Sequence, residues 1–244
     1  MSRFAYTETI KNNLASFAKD EFQHQIKVLR HQNDDLINFF DGKGGCFQGR
    51  ITAIDNHKRW FQAEITESQP QPPPPPLHLL IAMPRSGKLD GIIQKAVELG
   101  VTAITPLVTA RTTTRLQEEK KIVSRMEHWQ RIAVASLKQS GNPYLPRIEA
   151  PKNILALDDS GLFGEKIVFH PQAQANLLLP QNLDLDSNRA VALAFGPEGG
   201  FNEDEVARLQ ALSFLPTSLG KRILRLETAV VSALTLIQYL RNIF

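Results

Sequence analysis

The five consecutive prolines Pro72–Pro76, which close the stretch QPQPPPPP, limit the possible fold more than any other feature. A proline run has no backbone donors and a fixed φ. Neither a helix interior nor a central strand can pass through it, and it favours an extended polyproline II path. The chain must organise itself on either side, as two domains joined by a stiff spacer or as one domain with a proline-rich surface loop. The residue pattern changes across it. Before it, DLINFFDGKGGCFQGRITAI and RWFQAEIT have strand-like runs that break at Asp41-Gly42 and Gly44-Gly45, both turn signals. That predicts a small β-barrel over 1–70, with EFQHQIKVLR as one short helix beside it.

After the prolines the period changes. KLDGIIQKAVELG places Leu89, Ile92, Ile93, Ala96 and Val97 on one helical face and stops at Gly100. The stretch from Glu118 to Gly141 puts Ile122, Met126, Trp129, Ala133 and Leu137 on one stripe. LHLLIAM, VTAITPLV, KIVFHP, AVALAFG and FLPTSLG read as short buried strands. Asn202 with Glu205 has capping-box spacing and starts a helix over Val206, Leu209 and Leu212. Alternating β and α elements predict a parallel sheet with helices on both faces over 77–244, and 71–76 as the linker. Ligands of such sheets bind at the carboxyl ends of the strands.

Charge adds a regional signal. The net charge is only +3, but residues 85–147 hold 11 Lys and Arg against 5 Asp and Glu, while residues 1–76 hold 9 of each. A basic face attracts phosphate; a solvated helix surface accounts for the same excess. Cys46 is the single cysteine, which excludes an internal disulfide and fits a reducing cytoplasm. The six histidines lack HxxxH and HExxH spacing, so no metal site is expected. The N-terminal residues lack the apolar core of a signal peptide, and no run of about 18 apolar residues is present, so no membrane partner is expected.

Two segments concentrate chemistry. AFGPEGGF places Gly196, Gly199 and Gly200 around Pro197 and Glu198 at the end of an apolar strand. Glycines there let the backbone approach a ligand closely, although a tight β–α turn without a ligand would use them too. The segment is neither GxGxxG nor a P-loop. SLGKRILRLETAVVSALTLIQYL also begins at a strand end. Gly220 makes a turn, Arg222 and Arg225 bracket Ile223 and Leu224, and Glu227-Thr228 opens an apolar helix.

In this order, GPEGGF and LGKRILRLETA resemble the bacterial 16S ribosomal RNA uracil-N3 methyltransferases of the SPOUT superfamily. AMPRSGKLDGIIQKAVELGV resembles that family's first strand–loop–helix, ITPLVTART its second strand and RMEHWQRIAVASLKQSG its long helix. HQIKVLR and FFDGKGG resemble its N-terminal PUA-like domain.

The resemblance implies an α/β fold: a C-terminal SPOUT trefoil-knot methyltransferase domain behind an N-terminal PUA-like β-barrel domain that binds RNA. It implies S-adenosylmethionine as cofactor, held by three loops at Phe169–Pro171, Phe195–Gly200 and Leu219–Leu226. His170, Phe195, Gly196, Pro197, Glu198, Gly199, Gly200, Leu219, Ile223, Leu224, Leu226 and Thr228 are the expected cofactor contacts. Uracil N3 must lose its proton, which asks for a base or for a cation that stabilises the anion. Arg225 and Arg222 are the candidates for the cation, Glu198 and Glu227 for the base; Glu227 at a helix start could instead serve the helix dipole. Arg3, Arg30, Arg85, Lys88, Arg111 and Arg115 are the expected RNA contacts, with Lys58 and Arg59 as further candidates. The implied partners are 16S rRNA in the small ribosomal subunit and a second copy of the chain, docked through the apolar face of the 228–243 helix. The chain departs from the family pattern at Ala110, Lys138, Asn142 and Leu226, positions that bear on RNA contacts more than on cofactor binding.

Overall fold

A computed structural model describes residues 4–84, 87–112, 119–162, 164–170 and 188–243. The chain forms two compact units, Met1–Pro74 with Val134–Leu145, and Pro75–Ala133 with Pro146–Phe244.

In the first unit, β1 (Phe4–Tyr6), β2 (Ile10–Lys11), β3 (Leu14–Phe17), β4 (Leu36–Phe40), β5 (Cys46–Asp55) and β6 (Trp60–Ser68) form one sheet in the order β1-β4-β5-β6-β3-β2. Only the β1–β4 pair is parallel. The ladder begins at β1 and ends at β2, and β5 carries register shifts at Gln48/Gly49 and Ile51/Ala53 that bend it. The alternating apolar residues meet on one side: Phe17, Phe39 and Phe61 are buried, with Phe17 stacked on Phe61 at 4.5 Å between ring centroids. The β4–β5 turn follows from Asp41, whose Oδ1 accepts from the Lys43 and Gly45 amides, both at 2.8 Å. The helix expected over 21–30 is instead a single turn, α1 (Lys19–Phe22), continued as a π-helical stretch Gln23–Val28. Phe22 at the end of the turn and Gln25 in the π-helical stretch are buried.

In the second unit, β7 (Leu77–Ala82), α2 (Lys88–Glu98), β8 (Ala103–Val108) and α3 (Glu119–Ser140) come first. Then follow β9 (Arg147–Ile148), β10 (Lys152–Asn153), β11 (Glu165–Phe169), β12 (Val191–Phe195), α4 (Glu203–Ala211), β13 (Leu215–Thr217) and α5 (Leu226–Leu240). The sheet is all parallel, ordered β10-β8-β7-β12-β11-β13, with β9 paired to β8. Leu80, Ala82, Ala192 and Ala194 join Leu209, Leu212 and Phe214 in one core. Leu79, Ile81 and Leu193 alternate with them and are equally buried, so both faces of the sheet are covered, as parallel sheets require. In α2 the buried residues are the five of the expected face, Leu89, Ile92, Ile93, Ala96 and Val97. Among the described residues, no helix is long and apolar enough to cross a membrane.

The strand order decides where a ligand can sit. β12 lies between β7 and β11, so the chain leaving β12 must pass to the far side of β11 before it can form β13. The carboxyl ends of β11, β12 and β13 are thereby neighbours, and three loops start from them.

Candidate active site

Those three loops surround one cleft with about 730 Å³ of space, part of it open to solvent. Its apolar walls are Phe169 and Phe195, stacked at 4.6 Å, with Leu219, Leu224 and Leu226. The His170 amide donates to the Thr217 carbonyl at 2.9 Å, which fixes the first loop against the third.

The pentapeptide Gly196–Gly200 uses each glycine differently. A Cβ at Gly196 would come within 3.1 Å of the Phe201 amide nitrogen, so the backbone packs where no side chain fits. Pro197 to Gly200 is a turn closed by the Gly200 amide on the Pro197 carbonyl at 2.8 Å, and Gly200 has φ of +72°. Gly199 presents its carbonyl to the Arg111 guanidinium, and a Cβ there would press on the Arg111 chain at 3.0 Å.

The turn leads into α4 through the expected capping box. Asn202 Oδ1 accepts from the Glu205 amide at 2.9 Å, and Glu205 Oε2 accepts from the Asn202 amide at 2.8 Å. The other Glu205 oxygen accepts from the Ala110 amide at 2.6 Å. This carboxylate, fully buried, therefore ties the end of β8 to the start of α4. Its second task lies 95 residues away in sequence, where spacing gives no signal.

Of the expected cofactor contacts, His170, Phe195, Gly196, Pro197, Glu198, Gly200, Leu219, Ile223, Leu224 and Leu226 line the cleft; Gly199 and Thr228 do not. Sequence reasoning missed Phe201, Thr217, Ser218 and Ala229 in the lining; Thr217 and Ser218 are a strand end and the residue after it. Arg222 lines the cleft, whereas Arg225 is the exposed residue preceding α5 and stands outside the lining.

The charged rim differs from expectation. Lys88, expected to meet RNA phosphate, reaches Glu198 Oε1 at 3.1 Å and Glu227 Oε1 at 3.6 Å. Its hydrogen bond to Glu198, reinforced by Glu227, holds the ammonium above the ordinary lysine range. Among the described residues, nothing donates a hydrogen bond to the buried Glu227 Oε2. Arg111, also expected to meet RNA, spends a donor on Gly199. Arg30 is exposed, with φ of +64° at the end of the π-helical stretch. Arg3, Arg85, Arg115 and Pro171 lie outside the described residues. The apolar face of the 228–243 helix, expected at a subunit interface, is largely used within the chain, because Val230, Ala233, Leu234 and Ile237 are fully buried. Leu236, Tyr239 and Ile243 are the apolar side chains left exposed there.

The cleft can thus hold a molecule with an apolar ring system against Leu219, Leu224 and Leu226, close to backbone, with acidic and basic side chains at its edge. Residues 71–238 match the model of the RNA methyltransferase domain family. The chain is 33% identical to ribosomal RNA small subunit methyltransferase E of Buchnera aphidicola subsp. Schizaphis graminum, over 93% of this chain and 91% of that one. It is 34% identical to the protein of that name from Synechocystis, over 88% of this chain and 69% of the relative. The solved ribosomal RNA small subunit methyltransferase E of Neisseria gonorrhoeae, bound to S-adenosyl methionine, superposes with a TM-score of 0.85 at 27% identity, over 98% of both chains.

Proposed function

The chain belongs to the ribosomal RNA small subunit methyltransferase E family, and from that membership we propose that it moves a methyl group from S-adenosylmethionine to N3 of one uridine in 16S rRNA. The observation that carries this reading is the convergence of three strand-end loops on one cleft, in a fold shared with a relative solved with that cofactor. The residues present suit the cofactor. Leu219, Leu224 and Leu226 form an apolar wall for an adenine, and Gly196 in the lining lets the turn pack closely on Phe201. When bound, the cofactor supplies a methyl group already activated on a sulfonium.

The chain's own work is alignment and the N3 proton. Arg222, which lines the cleft, is the candidate to stabilise a uracil anion by charge. Glu198 and Glu227 remain the candidates for the base, and each contacts Lys88 through one oxygen in the free protein. In the same reading the chain after β12 forms a trefoil knot and the first unit is a PUA-like RNA-binding domain, with 71–76 as the linker. Two copies dock through the methyltransferase domain, with Leu236, Tyr239 and Ile243 available for contact, and the protein acts on the small ribosomal subunit in the cytoplasm. The test is incubation with labelled S-adenosylmethionine and small subunits from cells lacking this activity, followed by mass spectrometry of the nucleosides. A single 3-methyluridine in 16S rRNA is expected. Label at another atom or in another RNA would refute the assignment.

A further inference from the structure

Lys88 is the first residue of α2, an 11-residue helix whose N-cap is Gly87, with no side-chain cap. A cation there is unfavourable, because the helix dipole puts positive charge at that end. A locally misplaced charge needs a compensating partner, and Lys88 has two. Glu198 comes from the turn after β12 and Glu227 from the first turn of α5. Both are within reach of one ammonium, so the two carboxylate oxygens lie no more than about 7 Å apart. Without a cation between them they would repel.

We propose that Lys88 is a positioning residue that ties the glycine turn to the start of α5 and so holds two walls of the cofactor cleft in their binding posture. The inference rests on reading the cleft as the S-adenosylmethionine site. Lys88 acts through Glu198 and Glu227 and is not required to touch the cofactor.

The other charged groups nearby are Asp90 in the first turn of α2, paired with His128 of α3 at 2.7 Å, and Arg222 and His170 on the cleft wall. They are the same in wild type and variants, so the comparison between proteins isolates Lys88. The measurement is calorimetric affinity for S-adenosylmethionine and for S-adenosylhomocysteine, which lacks the sulfonium charge.

Lys88→Met should weaken both ligands by a similar factor, about fivefold, the scale of a part-exposed ion pair. Lys88→Arg should bind within about twofold of wild type, and Glu198→Gln added to Lys88→Met should recover most of the loss, because it removes the repulsion between the two carboxylates. Wild-type affinity in Lys88→Met would overturn the proposal. So would a loss that Glu198→Gln does not relieve, which indicates general damage. A change confined to the sulfonium ligand would also overturn it, since Lys88 would then act on the cofactor by charge. Absence of binding by the wild type would remove the cofactor reading itself.

Discussion

Glu205 shows how much a single side chain can carry here. It caps α4, and it also satisfies the Ala110 amide at the end of β8, with no solvent to replace it. Glu205→Gln offers a donor where an acceptor is needed, so it should cost about 2–3 kcal/mol of stability by urea denaturation. His78 makes a second prediction. Burial pushes its imidazole down to about 4 from 6.5, and its Nε2 lies 2.8 Å from Thr105 Oγ1. The folded state therefore prefers neutral His78, and its contribution to stability is complete above the unfolded value of 6.5. As pH falls from 6.5 toward 4 the unfolded chain takes up a proton that the folded chain refuses, and at most about 3 kcal/mol is lost. Urea midpoints at about pH 7 and about pH 5 should differ less in His78→Gln than in wild type. At this scale the sequence is half legible. The Asn202–Glu205 spacing announces its own hydrogen bonds because they are local. The partners of Glu205 at Ala110 and of Lys88 at Glu198 and Glu227 are brought together only by the sheet.

Among elements, β7, β8, β11 and β12 are readable as apolar runs because both faces of a parallel sheet are covered. The two-residue strands β9 and β10 are too short to show a period. The amphipathic stripe of α2 can be read residue by residue. In α5 the stripe is legible too, since Val230, Ala233, Leu234 and Ile237 are apolar at helical spacing and buried, but periodicity does not tell an internal face from a subunit face. The loop before α5 separates two arginines that look equivalent in sequence. Arg222 is at the cleft and Arg225 precedes the helix. Arg222→Ala should lower methyl transfer by about 10²-fold or more while changing cofactor affinity far less, and Arg225→Ala should lower it less. Single-turnover rates set beside calorimetric affinities check this. Equal losses would remove the distinction the cleft draws between them.

At the scale of the whole molecule, the proline run reads as the place where the chain divides, and the first segment of one compact unit is Met1–Pro74. Yet that unit also contains residues 134–145, which no shift of composition marks. The Gly44 amide donates to the Pro143 carbonyl and the Leu145 amide to the Gly42 carbonyl. Tyr144 Oη donates to the Gln71 carbonyl at 2.7 Å, and Lys138 pairs with the largely buried Glu21 at 2.5 Å. A fragment ending at Pro76 should therefore lack a cooperative thermal transition by circular dichroism; a sharp transition would mean that residues 134–145 are dispensable. The same arrangement sets a schedule on the ribosome. The nascent chain cannot complete its first unit when the prolines emerge, because the closing piece is not yet made. While residues 75–145 are synthesised, roughly 4–14 s at about 5–20 residues per second, the turn at Gly42–Gly44, the Gln71 carbonyl and Glu21 wait for their partners. The moment of first closure belongs to Leu145, and an enzyme of ribosomal RNA depends on its own ribosome passing that codon before its first unit is whole.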